Sequence, residues 1–386
     1  MTVQRVLIVG GGPGGLALAL ALRGVGIEPV VVERTPRHGA LGAGVSLWPN
    51  AMRLLRRWGL GGAIEARGAV AADSAIRTAS GRRLVTLDGG RLEARFGAPL
   101  VVIHCATLQT ILRTALGSDA LHLGWECVAV VQDDRRASVV LRDGGRHHAD
   151  IVVGADGAAS TVRATVVGDA PPRYGGITAW RCVVPLDRRS ADALPTGEWW
   201  GSGVVFGIAR LGGNQAYWWT TARCRGTGGG APGEEKSALL RRFQRWHPTI
   251  AELIDASIPE AIVRSPVRSR PTVERRSAGR VALLGDAADL TSPSLAQGAC
   301  LAIEDAAAMV ASLAGGDDAS GPAALERYSA ARRCRIRALG RRANRLSHLS
   351  HTRTLAASGL RNALLRSTSA GAALDWLAPV IGPDDP

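Results

Sequence analysis

The run Gly10-Gly11-Gly12-Pro13-Gly14-Gly15 follows a short β-branched stretch at 6–9 and opens an apolar helical pattern at 16–24. A second strand pattern at 29–32 ends on Glu33. This is G-x-G-x-x-G in a strand–helix–strand setting, with an acid about twenty residues on. Gly10 permits the tight turn, Gly12 lets the backbone approach a pyrophosphate, and Gly15 lets helix and strand pack closely. The helix N-terminus then offers unpaired N–H groups to phosphates, and Glu33 can accept hydrogen bonds from ribose hydroxyls. The chemistry is the binding of a dinucleotide: NAD, NADP or FAD. NADP is disfavoured, because an acid in this place suits a free ribose 2′-hydroxyl.

Two later motifs sit at comparable strand ends. VVGADGAASTVR (152–163) follows a buried strand at 150–153, and GRVALLGDAADLTSPSLAQGACLAIEDA (279–306) carries a strand at 280–284, then Gly285-Asp286, a loop with Pro293, and a helix from 298 to 313. Amphipathic helices are expected at 47–58, 106–116 and 237–246, and short strands at 75–78, 83–87, 127–132 and 138–141. Between 173 and 222 the runs 178–184, 198–209 and 215–222 are rich in Trp, Val and Tyr with no long helix between them. They read as an antiparallel sheet in a separate layer. Residues 226–233 form a Gly-rich loop, the chain from 322 on is helical and Arg-rich, and 383–386 is a frayed end.

Composition removes several classes of function. The 386 residues carry 47 Lys+Arg against 33 Asp+Glu, a formal charge of +14, and Lys236 is the only lysine. The other 46 basic residues are therefore arginines. Schiff-base chemistry has Lys236 alone to draw on, and no G-x-x-x-x-G-K-[ST] supports a P-loop. The arginines are scattered, with no basic run interleaved with aromatics, so the charge reads as the bias of a GC-rich, bacterial genome and not as a nucleic-acid footprint. The six cysteines form no C-x-x-C, which argues against zinc or a redox pair and for reduced thiols in a cytoplasm. The apolar stretch at 6–22 is broken by five glycines and Pro13, so it reads as strand, turn and helix and not as a leader or membrane span. His348 and His351 read as a solvent-facing pair on a helix, no metal site is expected, and no G-x-S-x-G supports an α/β-hydrolase.

The three motifs, in this order, resemble the single-component FAD-dependent aromatic hydroxylases, the para-hydroxybenzoate hydroxylase family. GAGVSLWPNAMRLL (42–55) and ITAWRCVVP (177–185) are similar to its salicylate and urate hydroxylase branch. The resemblance implies an α/β fold: a Rossmann-like FAD-binding domain (1–74, 98–172 and 267–386, the last with C-terminal helices) and an inserted antiparallel-sheet substrate domain (75–97 and 173–266). It implies that Gly10, Gly12, Gly14, Gly15, Glu33 and Arg34 hold the ADP half of FAD. Gly285 and Asp286 would meet the pyrophosphate or ribityl chain. Asp156 and Gly157 belong to a motif tied to both FAD and NAD(P)H, and Pro293, Gly298, Ala299 and Cys300 would lie beside the isoalloxazine ring. The implied activity is monooxygenation: NADH or NADPH reduces FAD, O2 is taken up as a flavin hydroperoxide, and one oxygen passes to an aromatic or other electron-rich small molecule. Trp180, Trp200, Phe206, Tyr217 and Trp219 are candidates for a dry wall around that substrate. Tyr217 and Trp219 point together, with Trp218 opposite. Asp289 is the boldest candidate for a general base. Alternatives are epoxidation or Baeyer–Villiger insertion on the same scaffold, or a flavin-binding protein without oxygenase turnover. Halogenation is disfavoured because Lys236 belongs to the substrate half. A monomer or homodimer is expected.

The chain departs from the family pattern in places. Asp289-Leu290 stands where His-Pro is usual, Ala296-Gln297-Gly298 replaces Gly-Gln-Gly, and Cys300 replaces an Asn. Cys105 and Gly39 stand where arginines are common, although Arg34 or Arg37 can compensate. The residues 204–206 are apolar where the urate branch tends to place an Arg, which favours a bulky apolar or indole-like substrate over urate. Losing charge-assisted pairs near a pyrophosphate weakens its grip. The purified protein is therefore expected to leave gel filtration with less than one FAD per chain; full flavin occupancy, read from the visible spectrum, would contradict this.

Overall fold

The computed structural model describes residues 3–36, 43–168, 170–224, 226, 228–315 and 321–382. Arg37, Gly39, Gly42 and the tail 383–386 lie outside the described residues.

A six-stranded sheet forms the nucleotide-binding half. Its order is Ser277–Ala278, Val281–Leu283, Ile151–Gly154, Arg5–Val9, Glu28–Glu33 and Leu121–Leu123, parallel throughout except at Ser277–Ala278. Such a sheet must be covered on both faces, and Arg5–Val9 shows how. Val6 and Ile8 pack into a core with Leu16, Leu18 and Ile303 of the helices Pro13–Arg23 and Gly298–Ala314. Leu7 and Val9 pack the other way, against Val139 and Leu141 of a three-stranded antiparallel sheet. This is the Rossmann-like α/β arrangement, and the helix after the Gly turn starts at Pro13, three residues earlier than its apolar pattern suggests.

The second layer is a seven-stranded sheet: Val263–Ser269, Arg173–Pro185, Gln215–Arg223, Val204–Leu211, Gly197–Trp200, Asp73–Thr78 and Arg83–Asp88. Every ladder is antiparallel but one. Gly197–Trp200 runs parallel to Asp73–Thr78, a strand delivered from far earlier in the chain. The single run expected at 198–209 is in fact two strands folded back on each other, because Gly203 takes φ +72 and lets the chain reverse. The helix expected at 47–58 is likewise two elements, the strand Gly44–Leu47 and the helix Pro49–Arg57. Its start falls at Pro49, whose fixed φ suits a first helical turn.

The helices Gly298–Ala314 and Gly321–Ser350 are joined by a buried ionic network. Arg276 pairs with Asp289, and with Asp305 at 3.0 Å. Arg332 meets Asp305 at 2.6 Å and Glu304 at 2.8 Å, and Arg335 reaches Glu304 at 2.6 Å. Asn50 donates to Glu304 at 2.6 Å and ties in the helix Pro49–Arg57. Burial alone would push the Asp305 carboxyl up, but Arg276 and Arg332 hold it below the usual range. Burial likewise opposes ionisation of Glu304, and Arg335 and Arg332 overcome it. Removing one member strands a buried charge. Arg332→Met is expected to cost about 3–5 kcal/mol. Arg5→Met, which breaks an exposed pair with Glu28, should cost under about 1 kcal/mol. Urea midpoints of the two variants check the contrast.

Candidate active site

The predicted nucleotide-binding residues converge at the carboxyl end of the parallel sheet. Gly10 has φ +114 and donates to the Val32 carbonyl at 2.8 Å, which locks the Gly turn onto the second strand. A Cβ at Gly15 would overlap the Gly10 carbonyl, whereas one at Gly12 would meet nothing within 4 Å. The turn is thus closed on its inner side and open outward, the shape of a cradle for a pyrophosphate. The helix Pro13–Arg23 has no side-chain cap at Gly12, so its first N–H groups face that opening. Glu33 accepts from the Gly11 N–H at 2.7 Å and the Thr35 N–H at 2.8 Å. Arg34, beside it, is solvent-exposed.

The other motifs close the cleft. Gly14 packs so tightly that a Cβ would lie 2.8 Å from both Ala302 and Leu284, which brings the first motif against the third. The backbone N–H of Gly285 donates to Asp305 at 3.0 Å, so the ionic network sets the Gly285-Asp286 turn. Solvent reaches Asp286, yet the surrounding protein raises its carboxyl above the usual range, the signature of a group on a cleft wall. Its Oδ1 would be 3.9 Å from a Cβ at Gly298. Pro293, Ala296 and Gly298 are exposed as well, while Leu295, Gln297 and Cys300 among them are buried. An open Gly turn, an uncapped helix N-terminus, Glu33 at the strand end and an exposed strip toward Gly298 fit the phosphates, ribose and ring of FAD. Gly10, Gly12, Gly14, Gly15, Glu33, Gly285, Asp286, Gly298 and Ala299 would hold it.

Two expected roles change, and a third gains a structural part. Asp156 accepts the Thr161 N–H at 2.7 Å and the Val162 N–H at 3.3 Å through Oδ2 and so shapes the turn into the helix Arg163–Val167, while its Oδ1 is buried without a hydrogen-bond partner. That helix delivers Arg163, which donates to the Ala287 and Ala288 carbonyls at 2.9 and 2.5 Å and so braces the Gly285 loop. Cys300 does not face the cleft. It is fully buried against Ser46 and Trp48, and burial pushes its thiol up to about 12. Asp289 is a poor general base. One carboxylate oxygen pairs with Arg276 and the other accepts the Val273 N–H at 2.9 Å, all buried and apart from the cavity described next.

That cavity, of about 70 Å³, lies between the seven-stranded sheet, the loop Ser292–Ser294 and the end of the helix Gly321–Ser350. Strand parity divides the aromatic candidates. Trp200 and Trp219 line it. Tyr217 stacks on Trp219, with ring centroids 5.3 Å apart, and lies against Gly44, where a Cβ would come 2.5 Å from its ring. Trp180 and Phe206 point the other way, into a core with Trp218 and the helices Pro232–Phe243 and Pro248–Asp255. Phe206 stacks on Trp218 and meets Phe243 edge-on at 5.1 Å, and Trp180 donates to Glu235 at 2.7 Å. These two are structural, because even-numbered positions on their strands face the helices. Trp218 sits opposite Tyr217 and Trp219, as strand alternation requires.

The cavity also holds polar groups that the sequence reading passed over: Glu198, Thr221 and His351. His348 is exposed, but His351 is only 4% exposed, so the pair is not solvent-facing. The helix ends at Ser350, and His351 folds inward to meet Thr221 at 3.0 Å. Glu198 could have been found from its place two residues before Trp200 on a strand; nothing local marks His351. Lys236 is engaged with the Asp255 carbonyl at 2.5 Å, away from the cavity.

Ala296 carries strain at this site. Its φ of +49 is left-handed, where the family pattern has Gly, and its methyl is exposed. Such a conformation costs an L-residue roughly 1–2 kcal/mol, partly offset by the added freedom of an unfolded glycine. Ala296→Gly is expected to stabilise the fold by up to about 1 kcal/mol. A lower melting temperature than wild type would show that this turn is not strained.

Comparison with known proteins agrees with the geometry. The aurachin C monooxygenase/isomerase of Stigmatella aurantiaca is 38% identical over 331 residues, 86% of this chain and 85% of that one. The 3-amino-4-hydroxybenzoate 2-monooxygenase of Streptomyces cremeus is 33% identical over 382 residues, 97% of this chain and 94% of that one. The structure of Klebsiella pneumoniae HpxO complexed with FAD and uric acid matches with a TM-score of 0.91 at 27% identity, covering 98% of this chain and 97% of that one. Residues 4–343 match the FAD binding domain family FAD_binding_3, and the chain belongs to that family.

Proposed function

We propose that the chain is an FAD-dependent monooxygenase that uses NADH or NADPH and O2 to hydroxylate an aromatic small molecule. The observation that carries this is the pairing of an FAD-shaped cleft with a Trp-lined cavity across the Ser292–Ser294 loop. The relatives named above, a monooxygenase/isomerase of aurachin C and a monooxygenase of 3-amino-4-hydroxybenzoate, support the reaction class.

When bound, FAD supplies the two-electron chemistry that accepts reducing equivalents from NAD(P)H and activates O2. The residues of this chain do the rest. The Gly10–Gly15 turn and its helix N-terminus would hold the phosphates, Glu33 the ribose, and Asp286 the polar chain that follows. The helix N-terminus at Gly298 would favour negative charge on a flavin held beside it. Trp200 and Trp219 orient a flat substrate and exclude water from the cavity. We read 75–97 with 173–266 as the substrate-binding unit and the remainder as the FAD-binding unit. Among the described residues no helix is long and apolar enough to cross a membrane, and all six cysteines are free, which supports a cytoplasmic setting.

An aromatic that fits the cavity should stimulate NAD(P)H oxidation at least about tenfold over the substrate-free rate, a barrier lowered by roughly 1.4 kcal/mol. Its product should carry one atom of 18O from labelled O2. A flavin-loaded protein that shows neither across a broad panel of aromatics would refute the reading.

A further inference from the structure

The helix Leu355–Arg366 has its polarity reversed. Its inward side carries Ser358 and Arg361, both buried, with Asn362 beside them. Ser358 lies 3.3 Å from the Ser202 hydroxyl, and Arg361 donates to the Ser350 and Gly201 carbonyls at 3.1 and 3.3 Å. The outward side carries Leu355, Leu360 and Leu364, which are 84%, 64% and 62% exposed. At about 100° per residue, Ala356, Gly359 and Ala363 fall between those leucines, and all three are exposed. Arg366, at the last position, is the one charge on that side. A surface helix of a globular chain turns such a stripe to the core. A single exposed leucine is ordinary, but three on one face with nothing polar between them mark a contact surface.

The charge around this face has one sign. Between Glu326 and Asp375 the sequence holds eleven arginines and no acid. Arg345 and Arg353, before the helix, and Arg366, at its end, are exposed. Asp375 is held by Arg95 at 2.6 Å. The helix packs on the strand Arg83–Asp88, and Asp88 at the strand's end accepts the Arg91 N–H of the helix Gly89–Phe96. A leucine face bordered by arginines is the pattern of a helix that lies in a lipid interface, its apolar side among the acyl chains. A second copy of the chain fits this face less well. Twelve helical residues make a strip about 18 Å long and about 10 Å across, far short of the roughly 800 Å² that each partner of a stable pair covers. Two copies would also bring together chains of +14 each.

We propose that the helix Leu355–Arg366 docks the protein on an anionic lipid surface, with its leucines among the acyl chains and Arg353 and Arg366 at the headgroup phosphates. The attachment is peripheral and does not depend on the reaction the chain performs. Its place in the fold ties it to the site. The inward side of the same helix holds the backbone of Ser350 and Trp200, and both residues line the cavity. Docking therefore sets one wall of that cavity next to the membrane.

The test is flotation of the purified full chain, with FAD added, on vesicles of phosphatidylcholine alone and of phosphatidylcholine and phosphatidylglycerol in equal parts. Binding to the mixed vesicles should be at least about tenfold tighter, and salt at about 0.5 M should weaken it. The net charge by itself draws the chain toward anionic lipid, so the deciding arm leaves every charge in place. The double variant Leu360→Ser, Leu364→Ser should bind the mixed vesicles at least about tenfold more weakly, with its melting temperature unchanged. Arg353→Gln with Arg366→Gln should narrow the preference for the mixed vesicles and leave binding to phosphatidylcholine as it was. Light scattering of the lipid-free chain reads its oligomeric state alongside. Flotation with neither vesicle, equal flotation with both, or a leucine variant that binds like wild type overturns the proposal. So does a lipid-free dimer that the leucine variant turns into a monomer, which would assign the face to a second copy.

Discussion

The structure hangs on two adjacent acids in one helix. Glu304 and Asp305 are buried, and three arginines from elsewhere in the chain converge on them. A buried ion pair is weak evidence for stability, since desolvation offsets most of its Coulomb energy. Its value here is positional. Asp305 receives the Gly285 N–H and so fixes the turn that presents Asp286, and Glu304 receives Asn50 and so fixes the helix behind the Gly44–Leu47 strand. Arg276 passes the constraint on to Asp289 and to the loop that ends at the cavity. An apolar core could be as stable, but it would not define the turn to within a hydrogen bond.

This gives the arginine excess a different meaning at a few positions. Most arginines are exposed and follow composition. Arg163, Arg276, Arg332 and Arg361 are buried and each clamps a loop or a pair of acids. Those geometries need a planar fork with several donors, which lysine does not have. A chain with one lysine has therefore lost little at these positions, because lysine could not have served there.

What was legible in the sequence follows the range of the interactions. The Gly10–Gly15 turn, Glu33 and the Gly285-Asp286 turn depend on residues next to one another, so their geometry is written locally. The faces of the aromatic sheet were half legible. Alternation groups Tyr217 with Trp219 and separates Trp218, but which parity meets the cavity depends on where the helices Pro232–Phe243 and Pro248–Asp255 pack. That is why Trp180 and Phe206 read equally well as substrate wall and proved to be core. His351 was not legible at all. Its partner Thr221 is 130 residues away, and its burial arises because a thirty-residue helix stops one residue before it. Asp289 misled for a related reason: its motif neighbours face the cleft, and Arg276 and the Val273 N–H, both outside the motif, turn it aside.

The two halves of the site divide the electrostatic work. The FAD cleft gathers helix N-termini and backbone N–H groups, which suit phosphates and a negative ring edge. The cavity gathers indole faces, hydroxyls, His351 and the Glu198 carboxyl. A wall of indole faces keeps water from the cavity, and a low local dielectric strengthens every hydrogen bond within it. The same low polarity makes an unmatched donor or anion costly, so selectivity and water exclusion arise from one set of residues.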